Sequence, residues 1–274
     1  MPARTLRTSV ADIAVRESAG VGPAVLMLHG NSSSSAVFQP QFDCALCSSY
    51  RLIAMDLPGH GASGDAREPA FGYTLTGYAT AAVETLGQLG VARATLFGWS
   101  LGGHVALDMI SRFDGVAGVM ISGTPPVPGG LEGLALGFQA SPLMALSSQN
   151  QWSEADAEAW ARATVGPNAP CPPALIEAAR RTPGEAREIF FADALSGKVD
   201  DQRAIAETST VPLAIVNGAD DPFINPDYFA TVRYANLWSG EVHRLAGLGH
   251  APFWEAPDRF NPLFERFLAD VSAG

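Results

Sequence analysis

Gly98-Trp99-Ser100-Leu101-Gly102 sets a serine between two glycines in an apolar frame. The pentapeptide fits G-x-S-x-G and falls between a strand pattern (94–99) and a helical pattern (101–113), where a sharp turn lifts a serine hydroxyl clear of the backbone. A side chain at either glycine would collide with neighbouring main chain. A serine hydroxyl is a weak nucleophile at neutral pH, so it needs a general base, and the base needs a carboxylate to orient it. In the order serine, acid, histidine, the downstream sequence supplies both. Of five histidines, His250 in "LGHAPFWEAP" follows the strand pattern 242–247, in a loop able to carry an imidazole over the strand ends. His29, His60 and His104 are expected to pack or hydrogen-bond locally, and His243 sits inside a strand pattern. The loop "GADDPFINP" offers Asp220 and Asp221. Adjacent residues cannot both face one imidazole. Asp221, directly before Pro222, is favoured as the acid, and Asp220 otherwise caps or solvates the turn.

Attack on a carbonyl creates an oxyanion that needs preorganised donors. The backbone N–H of Leu101, first on the helix after the serine, is one. The N–H of Asn31, in the loop "HGNSSSS" after the strand pattern 24–29, is the expected second. Gly30 is expected to let that backbone approach the substrate, with the Asn31 side chain also within reach of it. The serine run 32–35 reads as a polar turn. Gly30, Trp160 and Phe223 are the candidate substrate-binding residues.

These residues need a frame. Short runs apolar on both faces, at 24–29, 51–56, 94–99, 118–122, 213–218 and 242–247, suit strands of a covered parallel sheet. Helical spacing at 78–90, 101–113 and 258–271 alternates with them, which makes an α/β domain. Residues 4–17 alternate weakly and are expected to add one or two antiparallel edge strands. The rhythm breaks from "GTPPVPGGLEG" until the strand pattern resumes at Leu213. We therefore expect a core of residues 1–124 and 211–274 with a helical cap, 125–210, inserted between the sixth and seventh strands. The cap aromatics Phe138, Trp152, Trp160, Phe190 and Phe191 could line a pocket or pack the cap's own interior, and for any one of them packing is favoured.

The 274 residues, 47% apolar, suffice for one large α/β domain, and a net charge of -11 with Lys198 as the single lysine argues against nucleic acid or an anionic membrane as partner. Small neutral substrates or a protein partner remain, and the chain is expected to be a monomer or homodimer. No apolar stretch reaches 18 residues, and residues 1–23 lack the apolar core of a secretory signal. Three cysteines, Cys44, Cys47 and Cys171, suggest free thiols in a reducing cytoplasm. No cofactor and no metal site are expected.

"HGN", "DLPGHGAS", "GWSLGGH", "NGADDPF" and "GHAPF" together resemble the α/β-hydrolase superfamily, with the cap where that fold carries its insertions. "HGNSSSSAVFQPQ", "SGTPPV", "NLWSG" and "GHAPFWEAP" resemble more narrowly its metal-independent N-acyl-homoserine lactonases. The resemblance implies Ser100 as nucleophile, Asp221 as acid and His250 as base in opening a lactone through an acyl-enzyme, without cofactor. Two positions depart from that group, which leads one to expect glutamate at Asp221 and a cap tyrosine at Trp160. Competing readings are a broad carboxylesterase or arylesterase, an acylase that cuts the amide, and a ligand receptor that retains the triad but turns over slowly. Dehalogenases and epoxide hydrolases of this fold carry an aspartate where Ser100 stands. The metal cluster of zinc lactonases, H-x-H-x-D-H, is not in the sequence.

Overall fold

Eight strands in the order β1-β2-β4-β3-β5-β6-β7-β8 make one sheet in the computed structural model, which describes residues 4–273. They are β1 (Arg4–Arg7), β2 (Asp12–Glu17), β3 (Ala24–Leu28), β4 (Arg51–Met55), β5 (Ala94–Trp99), β6 (Val116–Ser122), β7 (Leu213–Gly218) and β8 (His243–Leu245). β1 and β2 pair antiparallel at one edge, and every pairing from β4 to β8 is parallel.

Alternation along the strands divides the core. Leu26, Leu28, Leu96, Val119, Ile121 and Ile215 pack on one face, against helices Leu75–Gln88 and Leu101–Met109. Val25, Met27, Phe97, Met120, Ala214 and Val216 pack on the other. There helix Pro257–Ser272 buries Phe260, Phe264, Phe267, Leu268 and Val271, a single stripe at helical spacing. Helices on both faces explain why β5 and β7 are buried at every position and read as continuous apolar runs.

Helix Leu75–Gln88 begins three residues before its apolar pattern because the Thr74 side chain accepts a hydrogen bond from the Gly77 N–H at 3.0 Å, capping the first turn. The last strand is shorter than its pattern. β8 pairs with β7 through only three residues, and Gly247, at φ +76°, turns the chain away toward His250. Between β6 and β7 lie six helices, Gly130–Gly137, Pro142–Leu146, Glu154–Val165, Pro173–Arg181, Gly184–Leu195 and Gln202–Thr208. They form the cap over the carboxyl ends of the strands. No helix among the described residues is long and apolar enough to cross a membrane.

Candidate active site

Parallel strands deliver their loops to one end of the sheet, and the candidate residues sit at five such ends: Asn31 after β3, Ser100 after β5, Gly123 after β6, Asp221 after β7 and His250 after β8. Ser100 has φ 54° and ψ −120°, a conformation that non-glycine residues rarely adopt. Its surroundings hold it there. The Ser100 N–H donates to the Ser122 carbonyl at 2.9 Å, and the Thr124 hydroxyl donates to the Ser100 carbonyl at 3.0 Å. A Cβ on Gly98 would stand 2.3 Å from the Gly102 carbonyl oxygen, and one on Gly102 would stand 2.0 Å from that of Leu28. The glycines of the pentapeptide are thus required by close backbone approach.

His250 and Asp221 are buried, and His250 Nδ1 lies 2.6 Å from Asp221 Oδ2. The other carboxylate oxygen, Oδ1, accepts the Phe223 N–H at 2.9 Å. Asp220 is exposed and contributes its N–H to the Leu248 carbonyl. The imidazole is boxed in by the rings of Phe223 and Trp99, at centroid distances of 4.8 and 5.6 Å, while the Trp99 indole N–H donates to the His250 carbonyl. Glu255 anchors the same loop by accepting the Gly249 N–H at 2.6 Å. Ser100 and His250 front one cavity. No Oγ to Nε2 hydrogen bond joins them among the described residues; such bonds are commonly long before substrate binds.

Gly123, to which the sequence assigns no role, is where the structure is least forgiving. At φ +62°, it lies so close to the imidazole that a Cβ would meet His250 Cε1 at 2.5 Å and Nδ1 at 2.7 Å. Its N–H donates to Asn217 Oδ1, which ties the ends of β6 and β7 together. Gly123→Ala is expected to displace the imidazole and lower kcat about 100-fold, measured beside a thermal unfolding curve to separate misplacement from unfolding.

The N–H groups of Leu101 and Asn31 have no hydrogen-bond partner among the described residues, so both remain available as donors. Behind the Asn31 loop, His29 donates from Nδ1 to the Gly30 carbonyl at 2.8 Å and accepts the Leu57 N–H at Nε2, and burial holds its pKa below the ordinary value, leaving it neutral. Three expectations for this loop need correction. Gly30 does not line the cavity; it is buried where the loop crosses the Trp99 ring, and a Cβ there would lie 3.2 Å from that of Ser100. The Asn31 side chain is engaged by the protein, donating to the Ser147 carbonyl at 3.0 Å and accepting from the Ser32 hydroxyl. The serine run opens as the expected polar turn at Asn31 and Ser32, but Ser32 to Ser35 are buried, with the Ser35 N–H bound to Asp56 Oδ1.

The cavity encloses about 900 Å³, its open mouth included, and its walls are mainly apolar. Phe138, Trp160, Phe190 and Phe191 line it, and of the five cap aromatics only Trp152 does not. Trp160 also packs inward, with Ala157, Ala161 and Ala179 in a cluster within the cap, whereas Phe138, Phe190 and Phe191 depart from the expectation because they pack against the main core beneath the cap. Phe223 also lines it, 5.5 Å from the Trp160 ring. The Trp160 N–H is not offered to the cavity: it donates to the Asn31 carbonyl at 3.1 Å. The cap therefore fixes the peptide next to one of the free donors. Trp160→Phe, which keeps the aromatic wall and removes this bond, is expected to lower kcat about tenfold with KM changed less than threefold, read from steady-state kinetics. His104 and Gln202 also line the cavity, 98 residues apart in sequence and joined by a hydrogen bond. No local pattern announces that pairing.

No group of three or more His, Cys, Asp or Glu side chains that could hold a metal ion occurs among the described residues. A serine hydroxyl in a strained turn, a buried imidazole–carboxylate pair and two N–H groups without partners among the described residues, set around an apolar cavity, make an arrangement suited to acyl transfer from an ester or lactone to water.

The model of the alpha/beta hydrolase family matches residues 25–263. Among solved structures, the N-acyl homoserine lactonase AidH complexed with N-butanoyl homoserine is 45% identical, with a TM-score of 0.95 over 99% of this chain and 97% of that one. A serine-to-glycine variant of AidH complexed with N-hexanoyl homoserine lactone gives the same identity and TM-score over 99% and 98% of the two chains. A 2-hydroxy-6-oxononadienedioate/2-hydroxy-6-oxononatrienedioate hydrolase from Pseudomonas sp. is 27% identical over 94% of this chain and 92% of its own length.

Proposed function

The chain belongs to the alpha/beta hydrolase family, and on that premise we propose that it is a serine hydrolase that opens the lactone ring of N-acyl-homoserine lactones through an acyl-enzyme. The observation that carries the choice of substrate is the likeness to AidH along nearly the whole of both chains, cap included. The geometry supports the chemistry.

Ser100 is the nucleophile. As its Oγ attacks the lactone carbonyl, His250 Nε2 takes its proton, and Asp221 holds Nδ1–H so that Nε2 is the free base. The N–H groups of Leu101 and Asn31 bind the oxyanion. When the ring C–O bond breaks, His250 returns the proton to the departing alkoxide, which stays tethered to the acyl group as the homoserine hydroxyl. Water deprotonated by His250 then cleaves the Ser100 ester and releases N-acyl-homoserine. Phe223, the Trp160 ring, Phe138, Phe190 and Phe191 hold the acyl tail on apolar surface. The aspartate at position 221, where the sequence resemblance leads one to expect glutamate, serves the same role because the loop brings its carboxylate within 2.6 Å of the imidazole.

The test is a mass-spectrometric product assay on N-acyl-homoserine lactones of several chain lengths beside p-nitrophenyl esters, with EDTA present throughout. Ring-opened acyl-homoserine formed with a kcat/KM well above that of the esters, and undiminished by EDTA, is the expected result. Fast ester cleavage without lactone opening would favour the second reading, a broad carboxylesterase, which the same triad and apolar cavity also support.

A further inference from the structure

Beyond Ser100, His250 and the Asn31–Ser147 contact, the apolar lining of the cavity is interrupted at His104, Gln202 and Asp200. His104 lies one helical turn beyond Ser100, its N–H donating to the Ser100 carbonyl at 3.2 Å. Gln202 comes from the cap helix Gln202–Thr208. The pair is locked in one orientation: Gln202 Nε2 donates to the His104 backbone carbonyl at 2.9 Å, which turns Gln202 Oε1 toward His104 Nδ1 at 2.7 Å. An amide oxygen only accepts, so Nδ1 carries the proton. Desolvation by burial holds this imidazole below its ordinary pKa, so it is neutral, and Nε2 presents a lone pair without a hydrogen. Nε2 has no hydrogen-bond partner among the described residues, and the half-buried ring borders the cavity.

We propose that the His104–Gln202 pair selects lactones whose acyl chain carries a hydroxyl on its third carbon, the O–H donating to His104 Nε2. The proposal rests on the lactonase reading and deepens it. Ser100 and His104 border the same cavity, their backbones joined by the 3.2 Å bond from the His104 N–H to the Ser100 carbonyl. A trans amide carries the acyl chain about 3.8 Å from the ring carbon to its second carbon, so the third carbon lies about one helical turn from the carbonyl that Ser100 attacks. A substituent there reaches the ring of His104. An unsubstituted chain covers the acceptor and leaves it unpaired, and a keto group at the same carbon sets acceptor against acceptor. Asp200 is the other acceptor on this wall, but its Oδ2 already faces the Ser111 hydroxyl at 3.2 Å and the Arg112 guanidinium at 3.6 Å.

The experiment compares kcat/KM for chain-matched N-(3-hydroxyacyl)-, N-acyl- and N-(3-oxoacyl)-homoserine lactones in the wild-type protein and in His104→Phe, which keeps a flat ring and removes the acceptor. The wild type is expected to favour the 3-hydroxy substrate over the unsubstituted one about five- to tenfold, the worth of one hydrogen bond, with the 3-oxo substrate lowest. In His104→Phe the ratio is expected to fall to about one. Each ratio is internal to one protein, so a general loss of activity does not imitate it. Gln202→Glu supplies a second check, since a carboxylate at Nδ1 favours the imidazolium, makes Nε2 a donor and moves the preference toward the 3-oxo substrate. Equal values for the three substrates in the wild type, or a 3-hydroxy preference that survives in His104→Phe, would overturn the proposal while leaving lactone opening intact. Failure to open any lactone would instead remove the lactonase reading and this proposal together.

Discussion

Ser100→Ala is expected to lower kcat/KM on N-acyl-homoserine lactones by about 10⁴- to 10⁶-fold, with no change in fold. The proposed acyl-enzyme forms at Oγ, and the proposed oxyanion donors, the N–H groups of Leu101 and Asn31, act only after something has attacked. Binding is affected far less, because the apolar walls that hold the acyl tail are untouched. Stability is expected to stay within about 1 kcal/mol: the Ser100 side chain makes no cap bond to its helix, and alanine meets the same φ of 54° that serine does. Single-turnover product analysis checks the first part, a denaturant midpoint the second, and calorimetric titration with intact lactone the retained binding. Activity near that of the wild type would remove Ser100 from the role of nucleophile.

Asp221→Asn is expected to cost about 10⁴-fold in kcat, through the tautomer rather than through lost packing. Oδ1 accepts the Phe223 N–H at 2.9 Å while Oδ2 faces His250 Nδ1 at 2.6 Å. An asparagine has one acceptor to share between them. If its oxygen keeps the Phe223 bond, its NH₂ faces Nδ1, the imidazole proton moves to Nε2, and the base is blocked where Ser100 needs it. Asp221→Glu restores a carboxylate and is expected to recover most of the lost activity, limited by how far the loop accommodates one more methylene. Asp220→Asn, at an exposed neighbour, is expected to leave kcat within twofold. The three variants measured together distinguish a carboxylate that sets the base from one that merely lies nearby, and a large loss at Asp220 with little at Asp221 would reverse the assignment.

Features whose physical cause is local were legible in the chain. The turn at Ser100 follows in part from Gly98, which admits the backbone of Gly102 four residues on, although Gly102 itself makes room for the distant Leu28 carbonyl; the strands follow from apolar runs that only a sheet covered on both faces can bury. The cap was legible as a break in the strand–helix rhythm after β6, and His250 as a histidine in the loop after the last strand. What tertiary structure decided was the use of each polar group. Hydrogen-bond partners of buried groups are set by which segments meet, and those meetings span 29 residues for Asp221 with His250, 98 for His104 with Gln202 and 129 for Trp160 with Asn31. The Asn31 amide and the Trp160 indole, both placed toward substrate by their residue types, are consumed by the Ser147 carbonyl and by the Asn31 carbonyl. Gly30 and Gly123 make the same point for space: one is buried behind the loop, the other is the gap into which the imidazole fits. A sequence reports which donors, acceptors and small residues exist, but a buried group must be satisfied by whatever the fold brings beside it, and that choice is made only when the cap closes over the strand ends.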